Sequence, residues 1–567
     1  MSSTIIKSVI SLVLISLLSF TSEAQISKEF KNKLADEMKF IANVYSQHYA
    51  PKQWKEKHLG WNLESELGTA LAKINAASSV YDYRNALADF IESTQDYHVA
   101  VRFYSTEKAS LPLSFRTFEG KTILVGIDRK KLPLDSFPFA IGDELIAIDE
   151  IYITEILSDL VLSKGKNVPG TDLAMADMFL TSRSARSNMK VPKGPVSLTF
   201  QRADENTPIR HQLIWDYQKE QIPGGGANLS QLTESATLES NKFNRLMPLP
   251  MMMSNEALDF ADINSDWGIG KKTSFVPKLG EKIWASANDS IFDAYIYSNH
   301  AGKLVGVIRI PSYTPEDADA AIAEMAGLIQ KMEKLTSVLV IDQVNNPGGS
   351  VFYLYSLVSL LISESATTPR HQMSLNEKLV SSAVDTLNEL KSITTLAEAK
   401  KIIGETSSGY PVTLQFVTYV REYCNFIIEQ WAMGKKLSDP YYIWGVDRIN
   451  PHATTRYTKP IVLLVNELDF SGGDFFPAIL QDNNRVTIFG TRTAGAGGYV
   501  QSIQFPNLFG FSNITITGSL AHRENHKPIE NLGVTPDVEH NITVDDLREN
   551  LGFYTSQINE VVDSLIK

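Results

Sequence analysis

Apolar residues near the start of the chain recur at three- and four-residue steps. Phe30, Leu34, Met38, Ile41 and Val44 fall on one side of a helix, and the Ala-rich stretch 69–88 favours the same conformation. A small helical domain over 25–107 is therefore expected. Between 111 and 215 the period shortens to short β-rich runs, 122–127, 144–148 and 196–200, separated by turn residues, which marks a β-rich second domain over 108–220. The stretch 221–300 has neither period. Its Gly224-Gly225-Gly226 and its Pro- and Met-rich run 247–253 suit a linker or insert.

From 301 onward, β-runs alternate with helical patterns: 304–310, a helix near 317–334, 338–342, and a helix over 352–362. That alternation predicts an α/β domain with parallel strands, reaching to 567. A mainly helical insertion, about 370–445, interrupts it before the apolar run 461–465.

Length and charge narrow the function. A chain of 567 residues exceeds what one core usually serves, in keeping with several domains. The 53 Lys and Arg against 65 Asp and Glu leave a net charge of −12, so no overall basic field exists to neutralise nucleic-acid phosphates. The single cysteine, Cys424, rules out an intramolecular disulfide and lies in an apolar neighbourhood that suits an inert buried thiol. The segment 1–24 carries Lys7, an apolar run over 9–20 and the small-residue ending Ser22-Glu23-Ala24. This reads as a secretory signal cleaved after Ala24, which implies export to a periplasm or beyond, with no stable membrane insertion afterwards.

Three segments place small or polar residues where α/β sheets build their sites, directly after a buried strand. Val338-Leu339-Val340-Ile341-Asp342 runs into Asn345-Asn346-Pro347-Gly348-Gly349-Ser350, whose glycines let backbone N–H groups face a developing oxyanion. The run 461–465 ends at Asn466 and continues through Asp469-Phe470-Ser471-Gly472-Gly473-Asp474 into a helix. A serine at the tip of a strand-turn-helix sits at a helix N-terminus and can act as a nucleophile; the plainer reading is that Ser471 or Asp474 simply caps the helix. The third segment is the glycine-rich turn 490–498.

Taken together in this order, 342–350, 466–481 and 490–498 resemble the protease domain of the tail-specific (C-terminal-processing) proteases and their tricorn-like relatives. The resemblance implies a crotonase/ClpP-like core, Ser471 as nucleophile, and an oxyanion hole from Gly472 with Gly348 or Gly349. It implies a peptide or protein substrate and no cofactor or metal. Where Ser-Lys members carry the basic lysine this chain has Ala496, so a base must come from elsewhere. Asp96-Tyr97-His98 resembles the family's Asp-x-His element and makes His98 the leading base, with His522 and His526 in reserve. Glu530, in Pro528-Ile529-Glu530-Asn531-Leu532-Gly533-Val534, resembles the relay glutamate that would orient the base. Tyr97 stands where the tricorn arrangement has a serine.

In the second domain, Leu113-Ser114-Phe115, the run 122–127 and 139–148 resemble a PDZ domain, which would pair an extended peptide with a strand edge. Retinoid-binding relatives use the same scaffold without an assigned proteolytic role. A non-catalytic carrier is accordingly the alternative reading, and a hydrolase of non-peptide esters a lesser one.

Overall fold

The computed structural model describes residues 26–203, 205, 207–221, 251–252 and 266–566. The expected signal segment and most of the glycine- and methionine-rich run lie outside these residues.

Four helices, Lys28–His48, Lys52–Leu59, Leu63–Ala76 and Val80–Glu92, form the amino-terminal unit. Side-chain caps from Ser27, Asn62 and Ser79 satisfy orphan amides at three of their starts. Their core is not self-contained. Leu34, Ile41, Leu87 and Phe90 pack with Phe509, Phe511, Ile514 and Ile516, and the strand Ala100–Phe103 pairs antiparallel with Phe511–Thr517. A hairpin from the far end of the chain thus completes the helical domain, a long-range pairing that local periodicity does not reveal.

The second domain is a β-sheet in the order Leu113–Phe118, Lys121–Ile127, Glu144–Ile148, Pro195–Gln201, Ile209–Ile214, with Ile151–Tyr152 added on Glu144–Ile148. All three β-runs expected in 108–220 are strands. Two helices between them, Ile153–Lys164 and Pro169–Thr181, went unpredicted. Pro169–Thr181 packs along the edge strand Leu113–Phe118, where Thr117 donates through its amide and hydroxyl to the Asp177 carboxylate at 2.7 and 2.6 Å.

The third domain is built on seven strands in the order Lys282–Ala285, Ala294–Ser298, Leu304–Arg309, Val338–Asp342, Ile461–Val465, Thr487–Gly490, Val538–Glu539. The first two are antiparallel and the rest parallel. The central strands are apolar throughout because both faces are covered. Leu339, Ile341, Ile461, Leu463 and Val465 face one core, and Val338, Val340, Val462 and Leu464 the other. Part of 221–300 is therefore not a linker. Residues 282–298 supply two strands, and Phe275, Val276 and Leu279 enter the second of these cores. The insertion is helical as expected, with Glu377–Leu390, Leu396–Ile402 and Leu414–Ala432, and Cys424 is fully buried there.

Candidate active site

The strand Ile461–Val465 ends at Asn466, whose side chain exchanges hydrogen bonds with Asn345 at the end of the neighbouring strand segment. The Asn345 amide donates to Asn466 Oδ1 at 2.9 Å, and Asn466 Nδ2 donates to Asn345 Oδ1 at 2.8 Å. Asp469 then clamps the two turns together: its carboxylate accepts from the amides of Asn346 and Asn466 and from Gln343 Nε2. Burial pushes its carboxyl well above the usual range, against those donors. At the tip, Ser471 has φ 54° and ψ −111°, a left-handed conformation that costs a non-glycine residue about 1–3 kcal/mol. It is held by Asp474, whose Oδ2 accepts the Ser471 amide at 2.9 Å and the Ala496 amide at 2.9 Å, while Oδ1 accepts from Gly495 and Thr493. Burial raises Asp474 to about 6 despite these donors. Asp474 thus does cap the turn, yet the Ser471 hydroxyl is left over: Oγ is buried with no partner among the described residues.

His98 shares that condition. It is 2 % exposed, and neither Nδ1 nor Nε2 has a partner among the described residues. Other buried side chains, among them Tyr45, Ser114 and Tyr423, also have an atom without a partner among the described residues, but a hydroxyl and an imidazole on adjoining segments make a chemically complementary pair. Adjoining they are, for the Tyr97 ring meets the Phe470 ring edge-on at 5.4 Å, each residue lying one position before the group in question. The Tyr97 hydroxyl donates to Asp172 at 2.6 Å and so is turned to the second domain rather than standing in for the tricorn serine. Asp96 Oδ1 accepts the His98 amide at 2.8 Å, and its Oδ2 accepts from Tyr49 and Thr517. Burial lowers the imidazole to about 4, partly opposed by the Asp96 charge and reinforced by Lys55.

Glu530 is fully buried, not a solvated loop acid, but its carboxylate does not bond the imidazole. Oε2 accepts the Gly497 amide at 3.1 Å and Oε1 accepts from Lys55 Nζ at 2.6 Å. Burial and the nearby Asp96 charge raise its carboxyl, with Lys55 pulling it back down. The carboxylate bonded to the His98 segment is that of Asp96, through the backbone amide, with its charge close enough to be felt by the ring. Lys55, which sequence reasoning missed, sits in a polar octapeptide with nothing to mark it as buried.

The glycine turn lies against the serine. A Cβ at Gly348, where φ is +93°, would stand 2.6 Å from the Gly472 nitrogen and 2.8 Å from the Ser471 Cβ, so only glycine fits. The Gly348 amide already donates to Asn346 Oδ1 at 2.8 Å. The Gly349 backbone also packs against Gly472: a Cβ on Gly472 would lie 3.1 Å from the Gly349 nitrogen. Gly472 occupies the first helical position, where an amide has no intrahelical acceptor. Met251–Met252 pairs antiparallel with Gly348–Gly349.

Of the reserve histidines, His522 has both ring nitrogens engaged, with Gln372 and the His526 carbonyl. A histidine not singled out in the sequence, His371, is fully buried, stacks on Phe475 at 5.5 Å and contacts Ser519 through Nδ1, leaving Nε2 without a partner among the described residues. Beside the serine turn, Arg116 of the second domain pairs with Glu467, and Thr171 donates to the Glu467 carbonyl at 2.7 Å. Among the described residues no group of three or more His, Cys, Asp or Glu is arranged to hold a metal ion.

Residues 304–540 match peptidase family S41, and residues 107–222 match a PDZ domain. A protein of Chlamydia muridarum (strain MoPn / Nigg) is 35% identical, the match covering 94% of this chain and 93% of that one. A Chlamydia trachomatis serovar D protein is 34% identical over the same shares. The solved structure of mature CPAF in complex with lactacystin is 33% identical, with a TM-score of 0.81 over 94% of this chain and 99% of that one. A serine-to-alanine mutant of CPAF gives a TM-score of 0.83 at 33% identity, over 94% and 98%. With likeness at this level running through nearly the whole of both partners, and the S41 match spanning the five parallel strands of the sheet and the Ser471 turn, the chain belongs to peptidase family S41, the tail-specific proteases, and is a serine-type peptidase.

Proposed function

We propose that peptide hydrolysis runs through Ser471 and His98. The neutral imidazole takes the Ser471 Oγ proton as oxygen attacks the substrate carbonyl carbon, and returns it to the leaving amine as the C–N bond breaks. Gly472 and Gly349 amides receive the oxyanion; the Gly348 amide is occupied, so Gly348 contributes space rather than a hydrogen bond. Asp96 stabilises the imidazolium, and Glu530 acts from the next shell of the network. The single observation that carries this reading is the pair of buried groups without a partner among the described residues, Ser471 Oγ and the His98 ring, on segments joined by the Tyr97–Phe470 contact.

An extended substrate is supported by Met251–Met252, a strand already lying antiparallel on Gly348–Gly349, the edge that a peptide backbone would take in its place. In the PDZ-like domain the Thr117 amide on the edge strand is taken by Asp177, and Arg116 is taken by Glu467. We therefore assign this domain to bracing the serine turn rather than to capturing a substrate C-terminus. The 1–24 segment supports export, with N-terminal sequencing of secreted protein expected to begin at Gln25.

Replacement of Ser471 by Ala in the full chain should abolish cleavage of a fluorogenic peptide, a loss of about 10⁴-fold or more in kcat. Unchanged turnover rejects the assignment and favours the carrier reading. His98→Gln should match that loss while His371→Gln should not; the reverse result moves the base to His371. Lactacystin, present in the CPAF complex, is a first inhibitor to try.

A further inference from the structure

Lys55 lies on the helix Lys52–Leu59 of the amino-terminal unit and is fully buried. Its ammonium has three hydrogens and spends each on a different acceptor: the Gln95 carbonyl at 2.7 Å, Glu530 Oε1 at 2.6 Å and Asn531 Oδ1 at 2.7 Å. Lysine is almost never fully buried without a partner, and here its partners come from two distant parts of the chain. Gln95 stands three residues before His98 in a left-handed conformation, φ 48°, and Asn531 is left-handed as well, φ 61°. Asn531 Nδ2 donates to the same Gln95 carbonyl at 3.0 Å. Glu530 in turn accepts the Gly497 amide, next to Ala496, whose own amide is bound by the Asp474 that holds Ser471.

We propose that Lys55 is a positioning residue for the general base: it fastens the strained turn that carries His98 to the Glu530-Asn531 segment behind the serine loop. This rests on the Ser471–His98 reading. The family's lysine base is absent at Ala496, and Lys55 does not replace it, since all its hydrogens are engaged and it contacts neither reacting group. What it supplies is a fixed distance between the two halves of the site and a positive charge between two carboxylates. The charged and titratable groups facing the imidazole are Asp96 on its own loop and Lys55 from the helix; Glu530, Tyr49 and Tyr45 face Asp96 from behind.

The test is Lys55→Met in the full chain, which keeps the length of the side chain and removes the charge and the three donors. With the fixed turn loosened, kcat should fall at least tenfold while KM changes less than about twofold. With a cation removed beside it, the imidazole should hold its proton to higher pH, so the acidic limb of kcat/KM should move upward by about one unit. A buried carboxylate without its partner threatens folding, so Lys55→Met/Glu530→Gln is measured alongside. The double variant should recover the melting temperature and still show the low kcat, because the Gln95 carbonyl has not regained its lysine. An unmoved limb with unchanged kcat in Lys55→Met overturns the proposal, as does full recovery of kcat in the double variant, which would reduce Lys55 to neutralising Glu530. His98→Gln in the same assay separates the levels: if it retains activity the underlying base assignment fails, whereas if it is dead and Lys55→Met behaves as wild type, only the positioning role fails.

Discussion

Acidification provides a sharp test of His98. Its imidazole is lowered from an ordinary 6.5 to about 4 by burial, so the proton-free form that a general base needs persists well into acid. With a value of about 4, about 91% of the imidazole is neutral at pH 5 and nearly all at pH 7; with 6.5 those fractions would be about 3% and 76%. The ratio of kcat/KM at pH 5 to that at pH 7 should therefore be about 0.9, against about 0.04 for an ordinary histidine. The same shift makes a stability statement. The unfolded chain takes up a proton at this position as pH drops below about 6.5, and the folded chain does not until about 4, so acid favours unfolding in that window. Between pH 7 and pH 5 the cost is about 2 kcal/mol at 1.36 kcal/mol per unit, and it should vanish in His98→Gln. The assay is initial-rate peptide cleavage across pH 4–8, with near-ultraviolet circular dichroism at each pH to certify the fold and urea melts of both proteins at pH 5 and 7. A twentyfold fall in kcat/KM by pH 5 in still-folded protein would refute the argument that burial sets this base.

Gly348→Ala should lower kcat by about 10²- to 10³-fold, the usual cost of spoiling an oxyanion hole, since the added carbon would meet the Gly472 nitrogen at 2.6 Å; near-wild-type kcat contradicts the packing. Gly327→Ala is the control: on the helix Ala318–Leu335 a Cβ there has nothing within 4 Å, so it should raise stability by about 0.5–1 kcal/mol in denaturant melts and leave cleavage unchanged. Burial pushes the Cys424 thiol up to about 12, so native protein should resist iodoacetamide at pH 8 and label only on unfolding; rapid native labelling would show that the insertion opens.

What could be read from sequence was whatever depends on short-range order. Residues 338–341 and 461–465 are unbroken apolar runs because each is covered on both faces, and the turns that follow them carry residues whose backbone demands are local. Ser471 and His98 could be singled out as candidates for that reason. That the Asn346 side chain takes the Gly348 amide was not legible, because it depends on how the turn folds back on itself. Lys55 was invisible because its burial is decided by Glu530, 475 residues away. His371 escaped because the strand it lies on, Arg370–Met373, pairs with Ser519–His522 across the whole insertion. The strands Lys282–Ala285 and Ala294–Ser298 are hard to read because they are only four and five residues long and stand either side of a polar turn.

The boundary drawn between a helical domain and a catalytic domain is a boundary in the chain, not in the mechanics. His98 precedes a strand whose four residues pair with Phe511–Thr517, and the helices bury their apolar faces against Phe509, Phe511, Ile514 and Ile516 of the same hairpin. Swinging the histidine away from the serine by a hinge would break that ladder and return Val101, Phe103 and those four side chains to water. At about 25 cal/mol per Å² of apolar surface, a fully buried Val, Phe or Ile contributes about 1.5–3 kcal/mol, so six of them, about 9–18 kcal/mol, are comparable with the whole stability of an ordinary domain. The His98 imidazole is thus held in place by the far end of the chain, and a hinge that carries it away from the Ser471 turn is too costly to be the movement that admits a peptide.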